Sequence, residues 1–229
     1  MTKIPTIRGS AQARLLLYRL MTHRLSDAEQ QLLNADPSLW EKLLELLEIR
    51  AASNGDHKVI QAVLSTAFSH INRSTKEGLQ KQIGRLTGQS VWMGVFPTGL
   101  LESFMAEHTK LIKGLEREYL DKISLGIQRG IRQGRLHKDM AKDIRQMTDM
   151  SKRRARFIAR SAPLQYSGEL TRHHQTSAGI TKYRWQTSGD ERVRASHRAR
   201  DGQVCAWDGL GPHPRSEVQC RCDAVPVLK

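Results

Sequence analysis

The chain has 229 residues, 38% hydrophobic and 26% charged, with a mean hydropathy of −0.53. That balance excludes a membrane-embedded protein and a wholly disordered one, and the length suits one sizeable domain or two small ones. Thirty-seven Lys and Arg against 23 Asp and Glu leave a formal net charge of +14, which points to a polyanionic partner: nucleic acid, an anionic membrane surface or an acidic protein face.

The opening MTKIPTIRGS lacks the apolar core of a secretory signal, and no apolar run approaches the roughly 20 residues of a membrane span. The N-terminal half reads as capped helices. Ser26-Asp27-Ala28-Glu29 has the form of a capping box, with Ser26 as N-cap and Glu29 at the third helical position. Asp36-Pro37 predicts the next start, followed by Leu39, Trp40, Leu43, Leu44, Leu46 and Leu47 and an end near Asn54-Gly55. A third helix is expected from about Asp56 to Asn72. A second capping box, Ser74-Thr75-Lys76-Glu77, predicts a fourth. Val91 to Pro97 breaks the pattern and reads as an extended connection or short strand.

Helical periodicity returns near Leu100 and runs to about Gly134. Gly126, Gly130 and Gly134 share one face, which marks close approach to a neighbour or a weak helix end. His137 to Met147 follows. Ser151 then reads as the N-cap of Lys152 to Ala162, and Pro163 as a kink or restart of a helix reaching about Ser177. Beyond Gly179 the pattern changes. Thr181 to Thr187 alternates, with Tyr183 and Trp185 on one face of a strand; Glu191 to Arg200 suits a short helix; Val218 to Val227 reads as a last strand carrying Cys220 and Cys222. The expected fold is mainly α with a small α+β C-terminal module. It divides into a helical region 1–105, a basic helical middle 106–177 and the module 178–229.

Positive charge is densest from Arg129 to Arg160, with eleven Lys or Arg against three Asp. A solvated helix face is the ordinary reading of such a run. Lys152, Arg153, Arg154, Arg156 and Arg160, however, spread over more than one side of a helix, so some must meet a partner or a phosphate. These five are the candidate DNA contacts, made to the backbone rather than to bases.

The ordered C-terminal string of Tyr183, Trp185, Thr187, Asp190-Glu191-Arg192-Val193-Arg194, His197, Asp201-Gly202, Trp207-Asp208, His213-Pro214 and Gln219-Cys220-Arg221-Cys222 resembles the phage Mu F-like head morphogenesis family. Leu111-Ile112-Lys113 and Ser151-x-x-Arg154-Ala155-Arg156-x-Ile158-Ala159-Arg160 extend the resemblance over roughly 108–226. It implies a minor head protein of a tailed bacteriophage, found in the virion at the head interior or portal and in the host cytoplasm during assembly. Its partners would be portal, major capsid or scaffolding protein and packaged double-stranded DNA, with a part in packaging or ejection and none at a membrane. The family usually builds the segment around Pro163 as plain helix.

The C-terminal polar groups admit three readings. Cys220 and Cys222, two apart on an extended strand, turn both thiols the same way; with His197 and His213 they make a four-ligand zinc set, Cys205 being a rival ligand. The alternative is two buried reduced thiols beside two surface histidines. A disulfide framework is excluded by three cysteines. An enzymatic reading makes His197 a general base oriented by Asp201, in a virion-associated nuclease. No paired-carboxylate metal motif, phosphate loop or serine elbow accompanies them, so a non-enzyme is expected.

Overall fold

In the computed structural model, residues 10–89 and 97–228 are described; the expected connection at 91–97 falls outside them except for Pro97. Helices α1 (Ser10–Asn34), α2 (Trp40–Ala52), α3 (Asn54–Thr87), α4 (Thr98–Arg132) and α5 (His137–Ser177) are followed by β1 (Lys182–Gln186), α6 (Ala195–Arg198), β2 (Val204–Ala206) and β3 (Asp223–Val227). The fold is mainly α, with a small antiparallel sheet in the order β2-β1-β3.

Three expected helix starts do not occur. Ser26 lies inside α1, because the buried stripe Ala13, Leu17, Met21, Leu25, Ala28 and Leu32 runs past it without interruption. Ser74 lies inside α3, where its hydroxyl donates back to the carbonyls of His70 and Ile71 at 3.0 and 3.1 Å instead of capping a new start. Ser151 lies inside α5, which also continues through Pro163. In each case the continuing apolar face outweighs the local cap. Asp36 does cap: its Oδ1 accepts from the Ser38 N–H at 2.9 Å over a single 3-10 turn, Pro37–Leu39, that leads into α2. Gly134 and Gly179 follow α4 and α5 with φ of 62° and 75°, the left-handed conformation that ends a helix.

The chain forms two compact units, one from residues 1–14, 66–102 and 160–229, the other from 15–65 and 103–159. The unit built from 15–65 and 103–159 is all helical. Ile112, Tyr119, Ile123 and Ile127 of α4 are among its buried residues. Gly126 and Gly130 let α5 approach α4, since a Cβ at Gly126 would stand 3.0 Å from the Met147 Cε and one at Gly130 2.9 Å from the Met140 Cγ. Arg24 is held between Asp56 and Glu116.

The unit built from 1–14, 66–102 and 160–229 carries the sheet. Tyr183 and Trp185 alternate inward from β1 and pack with Trp207, Cys220, Cys222 and Ala224. β1 pairs with β3 from Lys182↔Val227 to Gln186↔Asp223. The C-terminal end of α5 is fastened to this core by Gln175, whose amide donates to the Ala224 carbonyl at 2.8 Å and accepts the Trp207 indole N–H at 3.0 Å. The cysteines are not on the last strand as expected. β3 starts at Asp223, and both thiols lie in the segment before it.

Candidate metal centre and cationic cleft

The segment from His213 to Cys222 is shaped by two residues in the left-handed region, Arg215 (φ 70°) and Gln219 (φ 57°). Arg215 is buried and pins it. Its Nε donates to the Cys222 carbonyl at 3.3 Å, its Nη1 to the Ser167 hydroxyl at 2.6 Å, and its Nη2 pairs with Asp223. Gly168 makes room for this packing on α5: a Cβ there would stand 2.8 Å from the Arg215 Cβ and 3.1 Å from the Pro214 oxygen.

The pinned segment delivers both thiols to His197 of α6. The Nδ1 of His197 lies 3.6 Å from the Cys220 Sγ and 3.5 Å from the Cys222 Sγ, and the three side chains are buried. Trp185 packs edge-on against the imidazole at 5.2 Å and sets its plane. On the far side of the ring, Nε2 lies 2.8 Å from the Glu217 carboxylate. A proton on Nε2 donated to Glu217 leaves the Nδ1 lone pair aimed at the thiols, the arrangement that prepares a histidine to bind a metal.

The spacing fits an ion. A tetrahedral zinc at about 2.3 Å from sulfur and 2.0–2.1 Å from nitrogen holds those two atoms about 3.6 Å apart, matching the two observed separations. The Cys220 sulfur is also prepared for charge. The backbone N–H of Arg215 donates to the Cys220 Sγ at 3.3 Å. Hydrogen bonding from the Cys222 thiol, from backbone N–H groups and the nearby His197 lower the Cys220 thiol to about 6. Cys222 is pushed up in turn by the neighbouring Cys220 sulfur and by burial. A metal ion bound between them would displace the remaining thiol protons.

His213 and Cys205 stand apart from this group. The Nδ1 of His213 is 2.9 Å from the Tyr183 hydroxyl, and its ring tilts on Trp207 at 5.2 Å. Burial and the nearby Arg172 and Arg200 lower its pKa, favouring neutral imidazole. Cys205 faces Tyr183 across the β1–β2 ladder. Among the described residues, the group able to hold a metal has three protein ligands. Asp201 does not orient His197. Its Oδ1 accepts the Thr187 N–H at 2.7 Å, while both nitrogens of His197 are engaged elsewhere. Glu217 had no mark in the sequence beyond lying three residues before Cys220.

The three ligand side chains line a cleft of about 330 Å³ that also receives Arg14, Arg160, Arg192, Arg194 and Arg221 and, among the described residues, no carboxylate. Arg194 is tied to Glu217 at 3.2 Å, and Arg221 makes a bidentate pair with Asp190 at 2.5 and 2.7 Å. That pair holds the Asp190 carboxyl below its usual range. The remaining three arginines form no ion pair among the described residues.

The five expected DNA contacts differ in their surroundings. Arg154 pairs with Glu118, Lys152 lies 3.6 Å from Glu29, and Arg156 sits over the Tyr18 ring at 5.6 Å. Arg153 and Arg160 are exposed and form no ion pair among the described residues.

Residues 121–225, which include the whole thiol–imidazole group, match the family model described as Phage Mu protein F like protein. Through this segment the chain is similar to the Phage Mu F-like family. The chain is 35% identical over 192 residues to an uncharacterized protein of Haemophilus influenzae, covering 82% of this chain and 42% of that protein. It is 26% identical over 138 residues to Minor head protein GP7 of Bacillus phage SPP1, covering 52% of this chain and 45% of the relative. The chain thus spans less than half the length of either. No solved structure matches it.

Proposed function

We propose that this Mu F-like protein is a minor head protein of a tailed bacteriophage. It acts in head morphogenesis by docking at the portal or inner capsid and contacting the packaged double-stranded DNA. The observation that carries this reading is the match over residues 121–225 together with the likeness to a minor head protein of a phage. The net charge of +14 supports a DNA partner. Arg153 and Arg160 are the most available contacts. Lys152, Arg154 and Arg156 would reach phosphate only by sharing or leaving their present partners.

Zinc is the ion we assign to His197, Cys220 and Cys222, because two thiolates and an imidazole are the donor set it favours. It would clamp a small module whose own core is modest. A nuclease acting through His197 and Asp201 has no such support, since the two side chains serve different partners.

Mass spectrometry of purified particles tests the structural role. The protein should be present in few copies and lost, with head assembly or infectivity, when its gene is removed. Particles that form and infect normally without it would overturn the reading. DNA binding should weaken steeply with salt, and Arg153→Ala should reduce the slope of log K against log salt by about one. Elemental analysis should find about one zinc per chain.

A further inference from the structure

We infer that the cleft beside the thiol–imidazole group is a phosphate site in which the metal keeps one coordination position for a phosphate oxygen and the unpaired arginines hold the remaining charge. The inference rests on the metal assignment above and extends it. Three observations lead to it.

The first is ligand number. Structural zinc sites close with four protein ligands, whereas sites with three leave the fourth position to water or a bound molecule. Among the described residues the group supplies three, and His213, which could have been the fourth, is turned to the Tyr183 hydroxyl at 2.9 Å. The second is direction. His197, Cys220 and Cys222 all border the cleft, although each is at most 3% exposed, so an ion they held would lie against the cleft. The third is charge. Arg14 of α1, Arg160 of α5 and Arg192 of the loop before α6 converge on the same 330 Å³ without a lining carboxylate or an ion pair of their own among the described residues. That volume falls in the range of small-ligand sites. Planar guanidinium groups are the side chains best matched to phosphate oxygens. Arg194 and Arg221 also line the cleft but are already held by Glu217 and Asp190.

The ligand chemistry is therefore a phosphate oxyanion, carried by a free phosphate or by the backbone of a nucleic acid strand. The binding step makes one metal–oxygen bond, releases a water or hydroxide from the metal, and breaks no bond in the phosphate.

Cobalt-substituted full-length protein tests it, because the visible bands of a thiolate-bound cobalt respond to a change of the fourth ligand. The probes are inorganic phosphate and a thymidine octamer without terminal phosphates. A saturable band shift with the octamer supports the nucleic acid backbone as ligand. A shift with inorganic phosphate alone supports a free-phosphate site. Arg160→Ala and Arg192→Ala should each weaken the responsive probe about tenfold or more, with cobalt binding and the starting spectrum unchanged. Normal cobalt bands that neither probe moves would overturn the phosphate site and leave the metal assignment standing, as would arginine variants that bind as tightly as the parent. Absence of thiolate–cobalt bands would overturn the metal assignment, and the phosphate site with it.

Discussion

The carboxylate of Glu217 lies 2.8 Å from the Nε2 of His197, and the opposite ring nitrogen faces two sulfurs at 3.5 and 3.6 Å. Glu217 is therefore a positioning residue for the imidazole. Glu217→Gln can no longer offer a full negative charge to the Nε2–H, and removing such a partner typically costs about 10–100-fold in metal affinity. Competition against a chromophoric zinc chelator should show a loss of that order with the fold intact by circular dichroism. Unchanged affinity would mean that Glu217 serves only Arg194.

The ligand set predicts a pattern among neighbouring substitutions. His197→Ala, Cys220→Ser and Cys222→Ser should each abolish stoichiometric zinc, whereas His213→Asn and Cys205→Ser should retain it. His213 spends its Nδ1 on Tyr183, and Cys205 lies across from Tyr183 in the β1–β2 ladder. Chelation of wild-type protein should lower its melting temperature, as for an ion that binds only the folded state. Zinc retained by the Cys220 and Cys222 variants would refute the assignment.

Two glycines in long helices should respond to alanine with opposite signs. At Gly168 a Cβ meets the Cβ of Arg215 and the backbone oxygen of Pro214 at 2.8 and 3.1 Å, neither the free end of a flexible chain. Gly168→Ala should destabilise by about 1–3 kcal/mol. Gly114 of α4 has nothing within 4 Å of that position, so Gly114→Ala should stabilise by about 0.5–1 kcal/mol through helix propensity. Denaturant midpoints of the two variants measure both.

His108 of α4 is 3% exposed, and its Nδ1–H donates to the Phe104 carbonyl at 2.8 Å. Burial lowers its pKa below the ordinary value, so the folded state favours the neutral ring. The sign follows: above the unfolded value of about 6.5 the folded state has no penalty, and below it the unfolded chain takes up the proton more readily. Stability should fall from neutral pH toward pH 5. His108→Gln should fall less over that interval, with the difference between the two urea midpoints as the measure. Parallel curves would exclude His108 as a source of acid sensitivity.

Much of this architecture was legible because helical spacing is a long-range signal. The run from Leu39 to Leu47 and the run from Leu100 to Gly134 predict buried faces that the structure contains. Capping motifs misled where they were read alone. Ser26, Ser74 and Ser151 resemble starts, but a serine inside a helix can bond back to the preceding turn when the apolar face continues. Tyr183 and Trp185 announced β1 by alternation. β2 has only three residues at the sheet edge, too few to alternate visibly. The thiol–imidazole group was partly legible, since Cys220, Cys222 and His197 are chemically distinctive. Glu217 is an ordinary carboxylate, and the cleft draws Arg14, Arg160 and Arg192 from three separate segments that only folding brings together.

The interleaving of the two units also governs when each can be finished during synthesis. Residues 15–65 cannot complete their unit until residues 103–159 have left the ribosome, and β1 gains its longer neighbour only when Asp223–Val227 emerges. A translation product stopped short of that strand would leave Tyr183 and Trp185 without their cover, a hazard for aggregation and a target for proteases. Quality control of the nascent polypeptide therefore depends on the codons for Asp223–Val227 being read.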